Sequence, residues 1–298
     1  MPETDLVALV LELEAQVATF IDDHMGRALQ QVGLSILGQH DPELAQRIHD
    51  TDDLKPFSVS GLMRGERLFF GKVEVGTRTW IRLTGLSSET ALALLSYARQ
   101  LHLKIQAEQA PLIEIDRMPW RIVDAHLSDS HAWAGVSSYQ TLIERQRQAR
   151  PPESIRLRFI TPTTFRSNAV NLPLPLPHLV FGGLLTRWTQ FTPHRLRDLP
   201  QNQLDAYIAH HLVLSQYQLQ TILVRGKQGG REIGFVGEVT YDLLRVSDHL
   251  HKHDPELEAL IQAQSVWFAR TIGLLADLAR WSGVGRKTTT GLGMASEL

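Results

Sequence analysis

The chain of 298 residues contains no cysteine. This absence excludes disulfide bonds, a thiolate nucleophile and a zinc site with cysteine ligands. The sequence also has little net charge, because 30 basic residues nearly balance 32 acidic ones. A surface that is basic everywhere is therefore excluded. A local basic groove is not, since attraction to phosphate depends on where the charges lie.

Long apolar runs are missing as well. The longest begin at Leu6 and Leu179 and are far too short to cross a bilayer. Acidic Glu3 and Asp5 stand where a secretory signal would be basic and then apolar. With 43% hydrophobic and 21% charged residues, the composition is typical of a globular protein. We expect a soluble cytoplasmic protein without a membrane partner.

The length is about twice that of a typical domain, which favours two domains. The clearest break is at Arg150–Glu153, where consecutive prolines resist the interior of both helix and sheet. We therefore predict an N-terminal domain over residues 1–150 and a C-terminal domain over residues 151–298.

The first half has the pattern strand, helix, strand, strand, helix, strand. Apolar residues alternate from Val7 to Leu13, which predicts a strand with one buried face. The remaining elements are a helix over about 20–37, extended stretches over 57–62 and 67–83 with a turn at Gly76-Thr77, a helix from Ser87 or Ser88 to Leu101, and a strand over 104–115. This order is the βαββαβ pattern of ferredoxin-like folds.

The second half repeats the outline. It predicts a strand over 155–160, a helix over 180–190, two strands over 212–224 and 232–244 around a glycine-rich tip, a long helix over 255–280 and a short final strand. The predicted fold class is α+β, with two antiparallel sheets in tandem and helices on one face of each.

The segment Gly283–Gly293 carries the strongest local signal. It combines four glycines, which let the backbone approach a ligand, with Arg286, Lys287 and three threonines. A Walker loop would need glycine where Arg286 stands, and a dinucleotide fingerprint would need glycine at Thr288. The alternative is a simple connector between a helix and a strand.

Two groups of residues that include histidine are candidates for catalysis or metal binding. His49 and Lys55 lie six positions apart on a predicted connector, where a proton-transfer group and a cation could act on a phosphate, or where both could be solvated surface. His249, His251 and His253 alternate and could bind a metal. We favour a solvated loop for these three, and we predict neither a metal nor a cofactor.

Four segments together resemble one family, the CRISPR repeat-RNA endoribonucleases known as CRISPR-associated protein six. The similar segments are Ile48–Leu62, Phe159–Arg166, Gly234–Gly237 and Gly283–Gly293, in the order that the family has them. The resemblance implies two ferredoxin-like domains and metal-independent cleavage of repeat transcripts into guide RNAs. It also implies that the first domain carries the catalytic loop.

The resemblance further implies that His49 and Lys55 are catalytic, because much of the family has a histidine six residues before a lysine. The tyrosine that some members add is replaced by Leu34. His40 is the reserve candidate for the catalytic histidine.

We expect hairpin repeat RNA to lie along two basic segments of the second domain. The residues are Gly283, Gly285, Arg286, Lys287, Gly291 and Gly293 in the glycine-rich segment, and Arg225, Lys227 and Arg231 at the hairpin tip. The alternative function is a non-catalytic guide-RNA-binding subunit of an effector complex with the same fold. Homodimer formation and membership of an interference complex stay open.

Overall fold

The computed structural model describes residues 4–128, 130–193, 201–225 and 230–298. The first half contains β1 (Leu6–Ala15), β2 (Thr19–Ile21), α1 (Gly26–His40), α2 (Pro42–Asp50), β3 (Phe57–Val59), β4 (Met63–Arg64), β5 (Arg67–Leu68), β6 (Gly71–Val73), β7 (Arg78–Gly85), α3 (Ser88–Gln106), β8 (Leu112–Ile115), β9 (Met118–His126), β10 (Gly135–Ser137) and α4 (Tyr139–Gln148). The second half contains β11 (Ser154–Thr163), β12 (Phe165–Ser167), β13 (Val170–Leu172), α5 (Pro177–Phe191), α6 (Gln201–His210), β14 (Leu212–Arg225), β15 (Arg231–Leu243), α7 (Asp248–His253), α8 (Pro255–Ala263), α9 (Ser265–Ser282), a 3₁₀ turn (Thr288–Thr290) and β16 (Ala295–Glu297).

Each half builds an antiparallel sheet with the same strand order. In the first sheet β4, β7, β1 and β9 are neighbours, and β5 and β8 extend its two ends. In the second sheet the order is β14, β15, β11 and β16. When only β1, β4, β7 and β9 are counted in the first sheet and β11, β14, β15 and β16 in the second, both read second, third, first, fourth. This is the arrangement that a βαββαβ chain forms. The predicted α+β fold class is confirmed.

Strand β1 is buried on both faces, so the prediction of one buried face is wrong. Leu9 and Leu11 point into the core beneath α1 and α3. On the other face, Leu6 joins the core of the second half, and Val10 packs with Met294 from the end of the chain. The first sheet is therefore sandwiched between its own helices and elements of the second half.

The predicted helix over 20–37 begins later, at Gly26, because Phe20 and Ile21 belong to β2. Helix α2 follows directly and was not predicted. Its start is capped by Asp41, whose carboxylate accepts a hydrogen bond from the amide of Leu44 at 2.9 Å. As a result, His49 lies on a helix and not on a connector.

Strand pairing differs from the prediction at two places in the first half. Gly76 turns the chain with φ 85°, but β6 pairs with β2 and β7 pairs with β1, so no hairpin forms there. The predicted strand over 104–115 is also wrong in part. Helix α3 continues to Gln106, and β9 takes the place beside β1.

The long helix predicted over 255–280 is two helices, α8 and α9, which meet at Gln264. A further short helix, α7, precedes them and carries the three alternating histidines. The predicted hairpin strands over 212–224 and 232–244 agree with β14 and β15. Ser87 caps α3 with its side chain, as expected.

Candidate active site

The glycine-rich loop (Gly283–Gly293) connects α9 to β16 with an unusual backbone. Its four glycines all have positive φ, at 66°, 78°, 88° and 75° in chain order. Lys287 also lies in the left-handed region, with φ 61°, which is uncommon for a residue with a side chain. Only glycine adopts such angles without strain, so this spacing of glycines is what the loop conformation requires.

The glycines of this loop are packed against the protein itself. A Cβ atom at Gly291 would lie 2.9 Å from the amide nitrogen of Gly61, and one at Gly293 would collide with the carbonyl oxygen of Val284. Gly283, Gly291 and Gly293 are also buried. These glycines therefore set the shape of the loop, while its partly exposed residues, including Arg286 and Lys287, form its surface.

The first half of the chain holds the loop from one side. Gln30 on α1 donates a hydrogen bond from Nε2 to the hydroxyl of Thr289, at 3.1 Å. Ser60, just after β3, forms an isolated parallel bridge with Gly291. Thr289 and Gly291 of the loop thus contact α1 and the residue that follows β3, respectively.

The second half of the chain holds the loop from the other side. The amide of Arg286 donates to the carbonyl of Thr164 at 3.0 Å, and the amide of Gly293 donates to that of Pro162 at 3.1 Å. Both carbonyls belong to the segment around the end of β11. The loop therefore contacts both halves of the chain and lies at the interface between them.

Both cations of the loop have protein partners. Arg286 donates from Nη1 to the amide oxygen of Asn171 at 2.7 Å. Lys287 forms an ion pair with Glu232, whose side chain is only 15% exposed at the start of β15. Glu232 thus connects the loop to the base of the β14–β15 hairpin.

His49 lies in the last turn of α2 with a largely exposed side chain. Its Nδ1 is 3.1 Å from Oδ1 of Asp50, and 62% of its side-chain surface is exposed. The pKa of Asp50 is held below its usual value, first by a hydrogen bond from Gln46 and second by the one from His49. The ring is therefore accessible, and one of its nitrogens is oriented by a carboxylate.

Lys55 reaches the same helix end, but its ammonium group contacts backbone and not the imidazole ring. Its Nζ donates to the carbonyls of His49 at 3.1 Å and Thr51 at 3.0 Å, and also to that of Ile48. Partial burial lowers the pKa of Lys55. The structure thus brings Lys55 to the backbone of His49 and makes it a cap of α2.

A sequence model of the family described as "CRISPR-associated endoribonuclease Cas6" matches residues 157–295. Among solved structures, the product complex of Thermus thermophilus Cas6 (TTHB231) is 25% identical, with a TM-score of 0.75, over 98% of this chain and 99% of that one. The product complex of Cas6 (TTHA0078) is 26% identical, with a TM-score of 0.71, over 98% and 99%. Residues 157–295 thus match a Cas6 endoribonuclease model, and the chain as a whole resembles these Cas6 structures.

The chain shares the tandem ferredoxin-like fold of these Cas6 structures. A more distant structure, titled "An RAMP protein binding different RNA substrates", is 10% identical with a TM-score of 0.54 and shares the fold alone. Comparison with curated protein sequences gave no significant match.

A further histidine, which the sequence did not indicate, lies near the glycine-rich loop. His24 lies two positions before the start of α1 and lines a cavity of about 420 Å³. The other polar and charged residues of the lining include Arg27, Gln30, Lys287, Asp23 and Asp116. Burial lowers the pKa of His24, and its ring bonds to the backbone of Thr290. Its Nδ1 is buried and has no hydrogen-bond partner in the described part of the chain. Helix α1 opens onto this cavity without a side-chain cap or an acidic residue in its first turn.

The other predicted site residues lie apart from this cavity. His40 is the exposed last residue of α1. Arg225 and Arg231 are cross-strand partners at the end of the β14–β15 hairpin, and the side chain of Arg231 is exposed. Lys227 lies outside the described residues.

The three alternating histidines lie on helix α7, so the prediction of a solvated loop is wrong for them. The rings of His249 and His253 lie 4.7 Å apart, and His210 from α6 stacks on His249 at 4.8 Å. Among the described residues, no group of three or more histidine or acidic side chains is arranged to hold a metal ion. Likewise, no helix in the described ranges of the chain has the length and hydropathy to cross a membrane.

Proposed function

We propose that the chain is a Cas6-type endoribonuclease, which cleaves CRISPR repeat transcripts into guide RNAs without a metal ion. The 2′-hydroxyl beside the scissile phosphate attacks phosphorus, and the 5′-oxygen of the next nucleotide leaves. The products are a 2′,3′-cyclic phosphate and a 5′-hydroxyl. The observation that carries this proposal is the exposed imidazole of His49 at a helix end that a carboxylate and a lysine hold in place.

His49 acts as the general acid or base. Because the carboxylate of Asp50 only accepts hydrogen bonds, the hydrogen of the neutral ring sits on Nδ1, and Nε2 is free to accept a proton. In the base role Nε2 takes the proton of the attacking 2′-hydroxyl. In the acid role the protonated ring gives a proton to the leaving 5′-oxygen. Either role contributes roughly 10² to 10⁴-fold to the rate.

Lys55 supports the same site in two ways. Its hydrogen bonds to the last carbonyls of α2 fix the backbone that carries His49. Its positive charge also lies beside the position of the phosphate and stabilises the negative charge that develops in the transition state. With Leu34 where some relatives have a tyrosine, these two residues carry the catalysis in this proposal.

The RNA backbone lies along the glycine-rich loop and the basic end of the β14–β15 hairpin. Arg286, Lys287 and Arg231 provide cations there, while Arg27 and the uncapped first turn of α1 line the neighbouring cavity. Phosphate groups bind readily at such helix ends. A-form RNA is recognised mainly through phosphate and 2′-hydroxyl contacts, which this surface can make. In this proposal residues 1–150 form the domain with the catalytic residues, and residues 151–298 form the domain with most of the RNA contacts.

Purified protein, repeat RNA and EDTA test the proposal in one assay. We expect cleavage at a single position, with products that carry a cyclic phosphate. A substrate that lacks only the 2′-hydroxyl upstream of the cleaved bond should bind and stay intact. Tight binding without cleavage of the natural RNA would instead indicate the non-catalytic guide-RNA-binding subunit. Cleavage of the deoxy substrate would indicate an activated water as the nucleophile.

A further inference from the structure

Arg187 is a buried arginine beneath the glycine-rich loop. It lies on α5, and only 6% of the residue is exposed. Its Nη2 donates to the carbonyl of Gly285 at 2.7 Å and lies 3.4 Å from the hydroxyl of Thr288. Its Nη1 reaches the carbonyl of Gly183, one turn back on its own helix, at 3.5 Å.

No carboxylate among the described residues lies within ion-pair distance of this guanidinium. Burial alone lowers the pKa of Arg187 to about 10, so the group is still charged at neutral pH. Burying a charge is costly unless it is paired. The other buried residues of α5 are all apolar, namely Val180, Phe181, Leu184, Leu185 and Trp188. If packing were the only role of this position, an apolar side chain would stabilise the fold more than arginine does.

The contacts of Arg187 flank the two cations of the loop. Gly285 directly precedes Arg286, and Thr288 directly follows Lys287. One planar guanidinium therefore holds the backbone before the pair and the side chain after it, which the single ammonium of a lysine does less well. Lys287 and Gly285 both have positive φ. Backbone in that region persists where surrounding contacts fix it.

We infer that Arg187 is a positioning residue of the RNA site. From inside the protein it fixes the spacing of Arg286 and Lys287 on the loop surface without touching the RNA. This inference rests on the proposed binding of repeat RNA along the loop. It predicts that affinity for RNA depends on the shape of the guanidinium and not only on its charge.

A second buried arginine provides the matched control. Arg82 is 3% exposed and donates to the carbonyls of Trp133 at 2.8 Å and Arg280 at 2.7 Å. Burial lowers its pKa to about 9. Its side chain thus has the same chemistry as that of Arg187, but it binds other segments.

The test compares Arg187→Lys with Arg82→Lys in the full chain. The deoxy substrate is titrated at three salt concentrations, single-turnover cleavage of natural RNA is measured at saturating protein, and each variant is melted. Both variants should lose melting temperature. Arg187→Lys alone should bind about tenfold more weakly, with a salt slope flatter by roughly one unit because the loop cations no longer match the phosphates. Its rate at saturation should stay within about twofold of the wild type, and Arg82→Lys should bind RNA normally.

Two results would overturn the inference. One is normal affinity and salt slope in folded Arg187→Lys, and the other is an equal loss of affinity in Arg82→Lys, which would indicate general loosening of the core. Arg187→Gln, which keeps a donor but no charge, is the second variant if Arg187→Lys does not fold. Failure of the wild type itself to bind repeat RNA would contradict the proposed function and is read from the same titration.

Discussion

Lys55 donates a hydrogen bond from Nζ to the backbone carbonyl of His49, at 3.1 Å. The two residues that the family resemblance pairs as a catalytic set are thus joined through the backbone of one and the side chain of the other. The last turn of a helix has carbonyls without intrahelical partners, and cations near it are stabilising. Lys55 therefore has a structural task at the site as well as the proposed electrostatic one.

Replacing Lys55 by methionine should lower both stability and activity. The lost cap should cost on the order of 1 kcal/mol, or a melting temperature lower by roughly 2 °C. Single-turnover cleavage should fall by at least about tenfold, because both the position of His49 and the positive charge are affected. Lys104→Met removes the same charge from the last turn of α3 and should leave cleavage unchanged. A Lys55→Met enzyme with full activity would remove Lys55 from the mechanism.

His49→Ala should lower single-turnover cleavage by at least about 10²-fold. RNA affinity should change by only a few-fold and the melting temperature hardly at all, since the His49 side chain is largely exposed. His40→Ala is the comparison, because His40 ends the neighbouring helix and is also exposed. Full activity in His49→Ala together with an inactive His40→Ala would transfer the catalytic role to His40.

The ion pair between Lys287 and Glu232 predicts a specific order of RNA affinities. Lys287→Ala removes a phosphate contact and leaves the largely buried carboxylate of Glu232 unpaired beside the RNA. The double variant Lys287→Ala with Glu232→Gln removes that repulsion as well, so it should bind RNA more tightly than Lys287→Ala. Both should bind more weakly than the wild type, with the salt slope reduced by about one unit. Titrations at three salt concentrations measure both effects.

Arg245→Ala serves as the control for these charge variants, because Arg245 is exposed on a different surface. It should leave affinity and slope unchanged. Equal slopes for Lys287→Ala and the wild type would show that Lys287 makes no contact with phosphate.

Glu297 predicts a loss of stability as pH rises. Burial, and second the nearby carboxylate of Asp277, raise its pKa to about 7. The folded state thus holds a proton that the unfolded state releases near pH 4.5, so stability is highest below that pH and falls up to about pH 7. Glu297→Gln should melt a few degrees above the wild type at pH 8 and equally at pH 4.5. Glu114→Gln, on the exposed face of β8, is the control, and its melting temperature should differ from that of the wild type by the same small amount at both pH values.

The sequence predicts the fold class and most of the elements well because alternation and helical spacing are local properties. It fails for β1, whose outer face is buried only because the second half of the chain packs on it. Helix α2 was within reach of sequence reasoning, since Asp41-Pro42 is a helix-start signal and Leu44 and Ile48 have helical spacing.

For the candidate site too, the sequence reveals local features and misses the contacts between distant parts of the chain. The sequence singles out His49 and the glycines as candidates, whereas the position of His24 beside the loop depends on Thr290 from the other end of the chain. The pairing of Lys287 with Glu232 is likewise a tertiary contact that spacing does not reveal. Arg187 has no motif, and only its burial beneath the loop distinguishes it from other arginines.

The bond between Gln30 and Thr289 joins positions 259 residues apart. Each sheet can close from contacts within its own half, but the loop needs both sheets in place. Contacts between such distant positions form late in folding, because the entropy of closing a long loop is lost before they form. During refolding, the recovery of RNA binding should therefore lag behind the recovery of secondary structure. In the interval between the two, a molecule would have both sheets formed but no RNA site.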